Sequence, residues 1–304
     1  MHIAYINMGR FFPRYSYSLL TWSNIMIKNI KTVFSISLAK SIGMAAIVIA
    51  LSSGASNTFA GPVMYVHDSA GELGTVDVAT GNVILIGNMG VTMTDIAFSP
   101  TGDLFGLSFS GLYSINLKTA AASFIGNHSI AGGNALVFSS DGTLYGAGNS
   151  TTLLYSISTL TGDSTSLGNM GFASGGDLAF KDGNLFLASS GNQLVKIDLG
   201  NLTNTSAVGN FGISDVFGLA TGSDNTLYAV AGTTVYQVNT STGAATSPVS
   251  FTGQGLGTAY GQSFITEACS VNCNPNPVPT PATLALLSIG LTVLGFARRR
   301  KFAQ

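Results

Sequence analysis

Between residues 62 and 264 apolar and polar residues alternate in short runs of four or five. In 95–127 the runs are DIAFS, LFGLS, LYSIN and AASFI, each with the period of two that a half-buried strand requires. Turn chemistry separates them. Pro100-Thr101-Gly102 stands between the first and second runs, and Asp141-Gly142 and Asp182-Gly183 do so in later copies. Thr80-Gly81, Thr161-Gly162 and Thr242-Gly243 divide the third run from the fourth. The unit then recurs. A large aromatic sits in the second run at Tyr65, Phe105, Tyr145, Phe186 and Tyr228, in steps of 40, 40, 41 and 42. A turn residue recurs at Gly102, Gly142, Gly183 and Asn225, and Gly-Asn closes the unit at 87–88, 126–127, 168–169 and 209–210. The 3.6-residue apolar period of a helix is absent from these repeats and begins only at Ala282. Units of four strands at this period predict an all-β fold, a β-propeller.

The two ends of the array are fragments. Residues 62–88 supply runs two to four with no first run before them, while 257–261 read as a first run with nothing after it. Joined in one sheet they complete a fifth blade and remove the exposed edges that a line of blades would leave. The expectation is a five-bladed, monomeric ring, or six blades if 248–264 hides further strands. The line DLAFKDGNLFLA at 177–188 resembles the repeat of lactonase-like and NHL-type propellers, which serve many functions.

Composition changes the picture at the ends. Charged residues make up 8% of 304, against roughly 25% in an ordinary domain. Five of the twelve Lys and Arg lie before residue 41 and four form 298–301. Three lysines against thirteen carboxylates leave the body at −10, which argues against a nucleic-acid partner. A basic stretch at 26–31, an apolar run at 42–51 and small residues before Ala60-Gly61 form a secretory signal peptide, 26–60, cleaved between those two residues. Residues 1–25 then read as an over-extended start. At the other end 269–281 is a Pro/Asn-rich linker, and 282–297 is an uncharged helix followed by Arg298, Arg299, Arg300 and Lys301. At 1.5 Å per residue it spans about 24 Å, short of the roughly 30 Å core of a bilayer, so flanking cations must snorkel. The basic cluster orients the body outward.

This tail, 282–304 with the motif before it, resembles the PEP-CTERM sorting signal of exopolysaccharide-producing Gram-negative bacteria: a short Pro-Glu-Pro motif, one helix and a basic cluster. Val278, Pro279, Thr280 and Pro281 match the motif, with Thr280 in place of Glu. The resemblance implies export across the inner membrane, a membrane-anchored intermediate, cleavage by an exosortase-type enzyme, and release to the cell surface or extracellular matrix. An ordinary C-terminal anchor is the alternative. Cys269 and Cys273 suit a small local disulfide or two free thiols.

The supply of chemistry in the body is thin. G-x-S-x-G, H-E-x-x-H and P-loop patterns are all missing from the sequence. His67, beside Asp68, reads as a surface imidazole rather than a metal ligand. The first positions of the five first runs are Asp95, Ala135, Asp177, Gly218 and Gly257. Asp95 and Asp177 could therefore meet at the channel and hold Ca²⁺, or each could simply accept backbone N–H bonds; no other cofactor is expected. The loops between one unit and the next begin with Asn88-Met89, Asn127-His128, Asn169-Met170 and Asn210-Phe211. Small polar loops carrying a large residue suit a neutral ligand such as a glycan, exopolysaccharide included, or else the Asn caps a turn while the large residue plugs a blade interface. The leading expectation is a non-catalytic binding or structural module, and the alternative is a lactonase-like hydrolase using channel acids.

Overall fold

Each extended run pairs with the next because only two to eight residues connect consecutive strands within a blade. The computed structural model describes residues 61–268, and in it the runs form five antiparallel four-stranded sheets. Blade I consists of Ala259–Ser263, Val63–Asp68, Glu72–Asp77 and Val83–Asn88, from the axis outward. Blade II is Asp95–Phe98, Leu104–Leu107, Gly111–Ile115 and Ala122–Asn127. Blade III is Gly133–Phe138, Leu144–Gly148, Leu153–Ile157 and Ser164–Asn169. Blade IV is Ser174–Lys181, Asn184–Ser189, Gln193–Ile197 and Ser206–Asn210. Blade V is Val216–Thr221, Leu227–Ala231, Thr234–Val238 and Ala245–Ser250. The inner strands neighbour one another in the order I to V and back to I, so the ring is closed.

Closure occurs where the two sequence fragments meet: Tyr65 pairs with Ser263 and His67 with Gly261. There are five blades, and 248–264 holds the end of the outer strand of blade V and the inner strand of blade I. One boundary differs from expectation. The fifth inner strand is Ala259–Ser263, not 257–261. Asp68 Oδ2 accepts the Gly257 N–H at 2.7 Å, and the Ser69 N–H donates to the Thr258 carbonyl. These bonds hold Gly257 in the preceding loop and make Gly261 the counterpart of Asp95.

The recurring aromatics join blade to blade. Tyr65 meets Phe98 of the next inner strand at a centroid distance of 4.8 Å, Phe105 meets Phe138 at 5.3 Å, Tyr145 meets Phe180 at 5.8 Å, and Tyr228 meets Phe264 at 5.6 Å. In blade V, Thr221 takes the place of the phenylalanine. Tilted and edge-on contacts of this kind add about 0.5–1.5 kcal/mol each beyond the area they bury. The Gly of the closing Gly-Asn pair has a similar explanation: at Gly126 the Thr161 carbonyl of the next blade lies where a Cβ would stand.

Among the described residues no helix is long and apolar enough to cross a membrane. The helix expected at 282–297, the motif Val278, Pro279, Thr280 and Pro281, the cluster Arg298, Arg299 and Arg300, the pair Cys269 and Cys273, and Ala60 all lie outside the described residues. Gly61 is the first residue described.

Candidate ligand site at the channel mouth

The inner strands begin at one end of the ring, here called the upper end, with a shared irregularity. In blade III the register runs from Gly133 opposite Gly148 to Ala135 opposite Ala147, which leaves Asn134 as an extra residue. A similar slip frees Gly175 and Gly176 in blade IV, Phe217 in blade V and Tyr260 in blade I. A β-bulge takes a residue out of ladder pairing and re-aims its side chain, and bulges gather at functional rims. In blade II, Thr94 stands just ahead of its strand, and its hydroxyl donates to the carbonyls of Leu107 (3.0 Å) and Gly133 (2.9 Å).

Thr94, Asn134, Gly176, Phe217 and Tyr260, one from each blade, wall a cavity of about 550 Å³, within the 300–1,000 Å³ range of small-molecule pockets. Phe217 and Tyr260 meet edge to face, with centroids 5.9 Å apart at 87°. Gly176 has no side chain because the Phe217 backbone fills the space a Cβ would need. Asn134 is buried, and its Oδ1 has no hydrogen-bond partner. Phe109, 62% exposed, and Asp215 stand on the rim. The lining contains no Lys, Arg or His.

One residue further along each inner strand lies the floor: Asp95, Ala135, Asp177, Gly218 and Gly261. Asp95 and Asp177 are fully buried. Asp95 accepts N–H bonds from Ile96 (2.8 Å) and from Leu136 of the next blade (2.6 Å). Asp177 accepts from Leu178 and from Leu219 of its own next blade, both at 2.6 Å. The two carboxyls are close enough across the axis to shift one another's titration. Burial pushes both well above the usual carboxylate range, and the charge of Asp95 adds to the rise at Asp177. Ionisation of the pair is thus disfavoured. Below it Glu267, partly buried, is raised first by burial and then by the charge of Asp177, and it accepts the Thr221 N–H at 3.4 Å.

The floor does not fit Ca²⁺. That ion takes six to eight oxygens, whereas the four Asp oxygens face amide donors and Ala135, Gly218 and Gly261 supply no side-chain oxygen. Among the described residues no three His, Cys, Asp or Glu side chains converge as metal ligands. His67 is fully buried rather than on the surface, and burial pushes its pKa down to about 4 against the opposing charge of Asp68. Asp68 itself accepts from Ala70, Glu72 and Gly257.

None of the eight loop residues singled out in the sequence lines this cavity. Asn88 and Asn169 cap turns by accepting the N–H groups of Gly90 and Gly171. Asn127 and Asn210 end outer strands opposite Gly111 and Gln193. Met89, Met170 and Phe211 are buried in the apolar clusters between blades. His128 is half-buried; its Nδ1 accepts from the Ile130 N–H, so Nε2 donates to the Ser108 carbonyl at 2.9 Å. Asn134, Phe217 and Tyr260 were missed because the bulges shift them by one residue relative to the repeat. The signal that could have found them is the position before Asp95 and Asp177, which changes in every copy.

No family model matches the chain, and no curated protein does. Solved structures with similar architecture include a chain of a nidogen/laminin complex, 12% identical, TM-score 0.49, with 69% of this chain and 83% of that one covered. Another comes from work on the evolutionary emergence of a symmetrical protein, 18% identical, TM-score 0.42, with 66% and 93% covered. A third is virginiamycin B lyase from Staphylococcus aureus, 12% identical, TM-score 0.38, with 64% and 71% covered. At these identities the likeness concerns the fold alone.

Proposed function

We propose that the chain is an exported, non-catalytic binding module that takes a neutral polar ligand, a glycan, at the upper mouth of its ring. The observation that carries this reading is the cavity walled by all five blades above a floor whose acids are buried and committed to backbone amides. A hydrolase needs an acid or base within hydrogen-bond reach of substrate. The axial acids lie beneath the cavity, and the lining offers Asp215 and Tyr260 without an imidazole or thiol.

Export is read from the signal peptide expected at 26–60 and the tail that resembles a PEP-CTERM signal. Val63 pairs with Asp77 beside the lower turns. After Ser263 the segment 264–268 crosses the lower end, where Thr266 and Glu267 line a groove with Asp182 and Asn225. Both ends of the described ring thus lie on the side opposite the cavity. Fractionation of the native host with mass spectrometry of the mature termini tests export and sorting. The expected result is an N-terminus near Gly61, a C-terminus near Pro279 and recovery with the cell surface or matrix. Recovery of the uncleaved chain from the cytoplasm would overturn export, and an intact C-terminus in the inner membrane would overturn sorting.

A further inference from the structure

The mouth cavity is closed beneath. Asp95 and Asp177 stand at its floor, and neither has any exposed surface. A polymer therefore cannot thread the ring, and only the end of one could enter.

The walls narrow the chemistry further. An anion would find no Lys, Arg or His in the lining and a body at −10 around it. An organic cation is best held by several aromatic faces arranged around its charge. Here Phe217 and Tyr260 stand perpendicular at 87°, the edge of one against the other, so they form a wall rather than a cage. Oxygen acceptors share the cavity with that wall: the unpartnered Asn134 Oδ1, the Thr94 hydroxyl with its proton already committed, and, two residues before Phe217, the Asp215 carboxylate at the rim. An apolar face with acceptors around it matches a sugar ring, which carries C–H groups on its faces and O–H donors round its edge. Leaving Asn134 Oδ1 buried without a donor carries a desolvation cost that such a hydroxyl would relieve.

We infer that the cavity is a pocket for the uncharged terminal residue of a glycan chain. The ring lies against Phe217 and Tyr260, and its hydroxyls donate to Asn134 Oδ1 and Asp215. This rests on the binding-module reading above and adds the ligand's class, its end-on entry and the residues that hold it.

Saturation-transfer NMR on the purified full chain tests it, with glucose, galactose, mannose and N-acetylglucosamine, a linear and a cyclic glucose hexamer, choline and acetate as probes. The expected result is transfer to at least one neutral sugar and to a linear rather than a cyclic chain. Phe217→Ala should weaken that binding about tenfold and Asp215→Asn about threefold or more. Asp215 is exposed and outside the packed core, so its variant keeps the test meaningful if Phe217→Ala unfolds. Sugar binding unchanged in both variants would overturn the site while leaving a glycan-binding module. Choline or acetate bound in place of sugar, with sensitivity to both variants, would overturn the ligand class but not the place. Equal binding of the cyclic hexamer would overturn end-on entry. Transfer to none of the probes would overturn both this inference and the reading beneath it.

Discussion

Four residues along the same five strands separate two rings of different character. The lower ring is Phe98, Phe138, Phe180, Thr221 and Phe264; the upper is Thr94, Asn134, Gly176, Phe217 and Tyr260. The lower ring repeats because each phenylalanine faces the same task, receiving an aromatic from the preceding blade. The upper ring varies because four bulges and a strand start release it from the ladder. Position in the register, more than distance along the chain, decides whether a residue builds the ring or is free to bind.

Substitutions in the two rings should differ in kind. Phe98→Ala should be the most damaging, costing about 3–5 kcal/mol by opening a cavity against Tyr65, read as a lower denaturant midpoint.

His67 comes next, and its effect depends on pH. Its folded pKa is lowered from 6.5 to about 4, so between those values the unfolded chain binds the extra proton. Its contribution to stability is present above pH 6.5 and is lost as pH falls toward 4, by up to about 3 kcal/mol. His67→Leu should therefore gain stability relative to the parent on acidification from pH 7 to 4. Asp95 and Asp177 act in the opposite sense. Their raised pKa values mean the native state keeps a proton that the unfolded chain releases above about 3.8. Their contribution is full below that pH and is lost as pH rises toward the folded value. Asp177→Asn should flatten this slope in melts recorded from pH 4 to 8.

Gly176→Val should follow, at about 1–3 kcal/mol of overpacking, since its side chain must displace the Phe217 backbone; thermal melting measures the loss, and the cavity should lose its shape with it. The smallest effect belongs to the exception in the lower ring. Thr221 Oγ1 is buried without a partner, so Thr221→Val should be neutral or stabilising by up to about 1 kcal/mol in denaturant titration.

The fold was legible because it rests on short-range signals. The 40-residue period, the Asp-Gly and Thr-Gly turns and the incomplete ends specify five blades and their closure. The inner strand of blade I was misplaced by two residues because its fixing contact, Asp68 to Gly257, spans 189 positions. The same limitation hid the site. Asn88 and Met89 recur visibly, and recurrence there reflects a turn cap and an interface plug. Asn134, Phe217 and Tyr260 share no residue type and become a set only when register and ring closure bring them to one mouth. Asp95 and Asp177 were visible as channel acids, while their burial depends on strands that flank blade III.

The most direct test of the division between a binding mouth and a structural axis is neutral-sugar binding by the full chain carrying Phe217→Ala or Asp177→Asn. Phe217→Ala should bind about tenfold more weakly while its melting temperature stays near the parent's, and Asp177→Asn should bind as the parent does with an altered pH–stability curve. Sugar turnover by the parent that Asp177→Asn abolishes without unfolding would contradict that division, and would move the function from the mouth to the acids below.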